Sequence, residues 1–217
     1  MRSAAPVPFY ANLGDHLHCV QAAFRMILKY FLPDRTFSWQ ELETMSAKLP
    51  GKATWPSQML INLKQMGFDV ALIEGFDAQA FIKEGGEYLK RDFGPETAAW
   101  QIANSDIPQE QKLYKRLLSS GVVYESRIPT QRDISDYLQR GYLVKVTVNS
   151  KRLNHKQGYA GHSVVVYAAD DQRITFHDPG PLAREARVES AADFEAAWAD
   201  PNDRAKELIA IKYEEVL

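Results

Sequence analysis

Four short runs in the second half of the chain, LVKVTV, HSVVVYA, RITFHD and ELIAIKY, are dense in valine and isoleucine. Branched Cβ atoms fit a pleated surface and crowd a helix, so these runs read as strands. Their density of apolar residues also requires a sheet buried on at least one face. VVYESRI reads as one more strand ahead of them, and FDVALIEGF as a short strand in the first half.

The first half is otherwise helical. From Cys19 to about Phe31 the apolar residues Val20, Ala23, Phe24, Ile27, Leu28 and Phe31 recur at helical spacing, and Pro33 stops the run. Ser38 and Glu41 have capping-box spacing and open a second helix. Thr54-Trp55-Pro56 opens a third, ending at Gly67. Asp77 to about Phe93, Pro95 to about Ala103 and Pro108 to Ser119 read as further helices. Thr130 to Asp133 starts a last one, ending at Gly141. Helices first and an antiparallel sheet later is the α+β layout.

With 217 residues and no repeat, low-complexity tract or Gly/Ser linker, the expectation is one domain over 1–217. A helical lobe covers about 1–120 and a sheet lobe about 121–217. A net charge of -2 gives no reason to expect a nucleic-acid partner. No run approaches the length of a membrane span, so no membrane partner is expected. The start MRSAAPVPFYANLGDH lacks the apolar core of a secretion signal, which makes a cytoplasmic protein the expectation.

Cys19 is the only cysteine, so no internal disulfide exists and its thiol is open to chemistry. A thiol attacks as its thiolate, and free cysteine has a pKa of about 8.5. A helix N-terminus favours the anion, and so does a neighbouring imidazolium. Asn12, Gly14 and Asp15 are turn and cap residues just ahead of Cys19, which puts the thiol at a helix start. A small buried hydrophobe on a core helix is the alternative.

Downstream, GYAGHSVVVYAADDQRITFHDPG reads as a hairpin. With the turn centred on Asp170, Val166 faces Ile174, Val164 faces Phe176 and His162 faces Asp178. Directly opposed residues share a face, with Cβ atoms about 5 Å apart. A carboxylate beside an imidazole fixes its tautomer and stabilises its charged form. A thiol, an imidazole and a carboxylate are the parts of a cysteine nucleophile and its base.

These residues resemble the papain-like cysteine peptidases that process bacteriocin leader peptides at double-glycine sites. Cys19 at a helix start, Gly161-His162 before a valine-rich strand, and His177-Asp178-Pro179-Gly180 closing the hairpin carry the resemblance, from about Val7 to about Tyr213. The segment from about Asp77 to Arg127 matches nothing in that pattern. The resemblance implies a papain-like fold, an N-terminal helical lobe with Cys19 packed on a C-terminal antiparallel sheet lobe with His162 and Asp178. It implies a peptide or small amide or thioester substrate and no cofactor. The family has Gln six residues before the cysteine as an oxyanion donor, where this chain has Leu13; Asn12 is the nearest amide. His18-Cys19-Val20 also replaces the usual Asp-Cys-Gly.

The expected function is therefore a cysteine peptidase-like hydrolase: Cys19 attacks, His162 moves the proton, Asp178 orients His162, and Asn12 with the Cys19 N–H holds the oxyanion. A thiol acyltransferase on the same framework and an inactive peptide-binding module are the alternatives. His16, His18, His155 and His177 lack the paired spacing of a structural zinc site, so no metal is expected. Tyr159, in a polar glycine-rich loop, reads as a gate or as an ordinary loop residue.

Overall fold

The structure is a computed structural model, and it describes residues 6–213. The first five residues, part of the segment searched for a secretion signal, lie outside the described residues. Each valine-rich run forms a strand. The chain gives β1 (Asp69–Glu74), β2 (Val123–Ser126), β3 (Leu143–Asn149), β4 (Gly161–Ala169), β5 (Arg173–Asp178), β6 (Arg184–Ser190) and β7 (Glu207–Lys212). These make one sheet in the order β2-β1-β7-β3-β4-β5-β6. The chain is α+β.

The sheet is mixed, which corrects the expectation of an antiparallel one. β1 and β2 pair in parallel, and the other pairs are antiparallel. The helical segment between Glu74 and Val123 carries the chain back over the sheet, so that β2 runs parallel to β1. β7 returns from the end of the chain to lie between β1 and β3, antiparallel to both. The sheet thus draws on both halves of the sequence.

Both faces of the sheet are covered. Val70, Leu72, Val165, Ile209 and Ile211 join the core built with α1 (Cys19–Phe31), α2 (Trp39–Met45), α3 (Ser57–Gln65), α4 (Ala78–Glu84), α5 (Gly86–Asn104) and α6 (Ile107–Leu117). Ile73, Val144, Val146, Val164, Val166 and Phe176 join a second core under α7 (Gln131–Gln139), α8 (Ser150–Leu153) and α9 (Ala191–Trp198). Burial on both sides explains why the strands read as continuous apolar runs. In α1, Phe24, Ile27 and Leu28 are fully buried. Each such side chain contributes about 1.5–3 kcal/mol, which seats the helix and its first residue on the sheet. α5 bends at Gly94, which is non-helical and is followed by Pro95, as the break between two helices there anticipated.

The hairpin of β4 and β5 departs from the expected register. Its turn closes on Asp171-Gln172, with the Asp170 N–H donating to the Arg173 carbonyl at 3.0 Å. Asp170 Oδ1 also accepts from the backbone N–H groups of Gln172 and Arg173. Ala169 then pairs with Ile174, an odd shift from the expected register that would put His162 and Asp178 on opposite faces. A β-bulge between Val166 and Ala168 restores the parity. Beyond it Val166 pairs with Phe176 and Val165 with His177. Continued, this register makes Asp178 a diagonal neighbour of His162 on the same face instead of its direct partner.

Among the described residues, no helix is long and apolar enough to cross a membrane.

Candidate active site

Cys19 is the first residue of α1. The helix starts there because the loop before it is fastened from several sides. Asn12 Oδ1 accepts the His18 N–H at 2.9 Å, and the Asn12 N–H donates to the Pro179 carbonyl at 2.7 Å. One asparagine therefore ties the residue before Cys19 to the residue after Asp178. The His18 ring sits between Asp15 Oδ1 at 2.9 Å and Glu43 Oε1 at 2.7 Å. A cysteine in the first helical turn has an N–H with no intrahelical acceptor, and it sits in the positive end of the helix dipole.

His162 lies near the start of β4 and is buried. Its Nε2 bonds Asp178 Oδ1 at 2.8 Å, the contact expected of the hairpin, and this leaves Nδ1 as the second ring nitrogen. The imidazole and the Cys19 thiol are near enough to act on each other's ionisation. Gly161 lies under Tyr159 and Trp100; a Cβ there would come 3.3 Å from the tyrosine hydroxyl. At the other arm, Gly180 holds φ at +133°, a backbone that L side chains rarely adopt, and its N–H donates to Asp178 Oδ1 at 3.1 Å.

These contacts set the charges. Burial opposes ionisation of the Cys19 thiol. The His162 hydrogen bond and charge, the Ser163 backbone N–H and the Lys145 charge outweigh it and bring the thiol down from 9.0 to about 7. Burial likewise opposes charging of His162, but Asp178 and the Cys19 sulfur raise it to about 9. Both shifts favour the thiolate and the imidazolium over the neutral pair. Asp178 stays below the usual carboxylate range. Burial works against that, and the bond to His162, the His162 charge and the Arg187 guanidinium more than offset it.

Three contributors escaped the sequence reading. Arg187, on β6, donates from Nη1 to Asp178 Oδ2 at 2.8 Å. Its strand, REARVES, is polar and carried no strand signal. Lys145 is fully buried in β3, with Nζ donating to Thr147 Oγ1 at 2.7 Å and Glu207 Oε1 at 2.6 Å. A lysine inside the run LVKVTV was a legible signal, because a buried charge needs partners. Ser163 contributes only its backbone, which no side-chain pattern reveals.

Cys19 and His162 open on a partly enclosed cavity. Trp55, Phe76, Phe93, Trp100 and Tyr159 make much of its wall, with Glu74, Lys145 and Glu207 among the polar groups. Tyr159 thus belongs to the cavity, edge-on to Trp100 with ring centres 5.5 Å apart. Asn12 is close to the nucleophile in the chain but is not among the cavity-lining residues. With Oδ1 engaged, the donor end of its amide is the part left for another role.

The other histidines do other work. His177 bonds the Val7 carbonyl and the Ala186 N–H, and His18 holds its two carboxylates. Among the described residues, no group of three or more His, Cys, Asp or Glu side chains is placed to hold a metal ion. No known family model matches the chain, and no curated protein matches it.

Proposed function

We propose that the protein is a papain-like thiol enzyme that cleaves a peptide or amide bond through an acyl group carried on Cys19. The observation that carries this reading is the chain of contacts from the Cys19 thiol to His162 to Asp178, with the thiol at a helix N-terminus. A helix-borne thiol facing an imidazole and a carboxylate on a sheet is also the layout that a papain-like fold would have.

The chemistry follows from the charges. Cys19 Sγ, as thiolate, attacks the carbonyl carbon, and the carbonyl electron pair moves to oxygen. The Cys19 N–H holds that oxyanion, and Asn12, which lies outside the cavity wall, would reach it with Nδ2 only if its side chain turned inward. His162 then gives its proton to the leaving amine as the C–N bond breaks, and a thioester to Cys19 remains. A water molecule gives a proton to His162 and attacks the thioester; the acid leaves and the thiolate returns. Asp178 keeps the ring oriented and its charge stabilised throughout.

The test is the rate of Cys19 alkylation by iodoacetamide against pH, followed by intact mass. A low-pKa thiol gives an inflection near 7. His162→Ala removes the largest favourable partner and moves the inflection upward, toward 9.0. A chromogenic acetate ester should also leave one acetyl group on Cys19 and none on the Cys19→Ala protein. Alkylation that begins only above about pH 8, or only on unfolding, would sink the enzyme reading and favour the binding module.

A further inference from the structure

The cavity beside Cys19 contains a carboxyl group that the proposed reaction does not use. Glu74 ends β1 and is 3% exposed. Its Oε2 accepts from the Tyr114 hydroxyl at 3.1 Å, while its buried Oε1 has no hydrogen-bond partner. The nearby Tyr124 hydroxyl donates to the Phe76 carbonyl at 3.2 Å and also favours the ionised form of Glu74, yet Oε1 is left without a partner.

The neighbouring cations are already engaged. Lys145 holds Glu207 and Thr147. Arg204 and Lys206, which also line the cavity, pair with Asp92 and with Glu195 and Asp203. Glu74 and Glu207 thus share one lysine, and that lysine is turned to Glu207. A buried carboxyl oxygen without a donor costs about 1–3 kcal/mol, more if charged. Burial, with the Glu207 charge, keeps Glu74 protonated up to about 8. Once Glu74 ionises, this part of the cavity is one donor and one positive charge short of balance, and a cation that binds there would draw the proton off. The walls suit a cation as well: Trp55, Phe76, Trp100, Tyr114 and Tyr159 all line the space, and aromatic faces attract ammonium groups.

We propose that Glu74 Oε1 is the seat of a primary alkylammonium group of the substrate, of the kind found on a lysine-like side chain or a polyamine arm. The role as a substrate subsite rests on the thiol-enzyme reading of Cys19; binding of the cation does not. An ammonium would give Oε1 its missing donor and Glu74 its counter-charge, with an alkyl stem against the aromatic wall. A carboxylate ligand would face two acidic groups instead.

The experiment titrates the unmodified full chain with pentylamine, pentan-1-ol and pentanoate, followed by fluorescence of Trp55 and Trp100 in the cavity wall. The three probes match in length and differ in charge. Pentylamine should bind with a Kd at least about tenfold below that of pentan-1-ol, and pentanoate more weakly than either. Glu74→Gln should collapse the preference for the amine over the alcohol. Equal binding of amine and alcohol, no saturable binding of the amine, or a preference that survives in Glu74→Gln would each overturn the proposal. If Glu74→Gln does not fold, the charge series on the unmodified chain still decides, since tighter alcohol or pentanoate binding refutes a cation seat. None of these readouts uses the thiol, so failure here and failure of the iodoacetamide test are separately visible.

Discussion

Asp178 and Glu74 are equally buried, at 3% exposure, and sit on two sides of one site with opposite charge states. Asp178 is held ionised, because both of its oxygens have donors: His162 and the Gly180 N–H on one, Arg187 on the other. Glu74 is held protonated, because burial and the Glu207 charge outweigh its tyrosine donors and its nearest lysine belongs to another carboxylate. Exposure is the same, and what differs is the charges and donors around each carboxyl. A carboxylate meant to orient an imidazole is supplied with partners by the protein. One left short of a partner is a place where a ligand can supply it.

The largest expected effect breaks the satisfied side. Arg187→Met removes the cation that touches Asp178, Glu189 and the Leu153 carbonyl. Leaving Asp178 short of a buried partner should cost about 3–5 kcal/mol in urea unfolding at neutral pH. The Asp178 pKa is depressed, so its contribution is present above 3.8 and fades as pH falls through the folded-state value below that. A loss under about 1 kcal/mol, typical of an exposed pair, would mean the two carboxyls do not differ as described.

Glu74→Gln should do far less. At pH 6 the amide copies the shape of a protonated carboxyl, so the cost should stay within about 1 kcal/mol. The pH dependence sharpens the contrast. Glu74 rises from 4.5 to about 8 on folding, so between those values the folded protein binds more protons than the unfolded chain. The parent protein therefore loses stability as pH rises through that window, and the glutamine variant is spared this loss. Unfolding curves at several pH values should show the variant gaining on the parent from pH 5 to 8. A constant difference would place the Glu74 pKa at its ordinary value.

The smallest effect tests the donor on Glu74 Oε2. Tyr114→Phe deletes the hydroxyl on Glu74 Oε2 and should cost about 1 kcal/mol. It should also extend to higher pH the window over which Glu74 keeps its proton, because that bond favours the ionised form. A window that contracts would show that Tyr114 does not serve Glu74 as a donor.

Much of the site was legible because its signals are local. Cys19 opens α1 because polar turn residues precede it and helically spaced apolar residues follow it. The Thr130–Asp133 capping box forms as its spacing requires. The strands other than β6 were legible for the same reason, down to the short run at Asp69–Glu74. The hairpin was half legible. Its strands and its His162–Asp178 contact followed from the pattern, but its turn lies later and a bulge beside Tyr167 restores the shared face. Two errors of register nearly cancelled, and the pattern alone gave no sign of either, since nothing in AADDQ distinguishes adjacent turn positions strongly.

What the sequence determined by itself was most of the helices and strands and the candidate Cys19, His162 and Asp178, since propensity, capping and periodicity act over a few neighbouring residues. What only the tertiary structure decided was who meets whom. β7 entering between β1 and β3 joined the two parts of the sheet and brought Glu207 to Lys145. β6 brought Arg187 to Asp178, and the fold of β1 under α6 left Glu74 with Tyr114 and nothing on its other oxygen. Charge states at this site depend on contacts between residues far apart in the chain, and such contacts exist only once the sheet has closed around them.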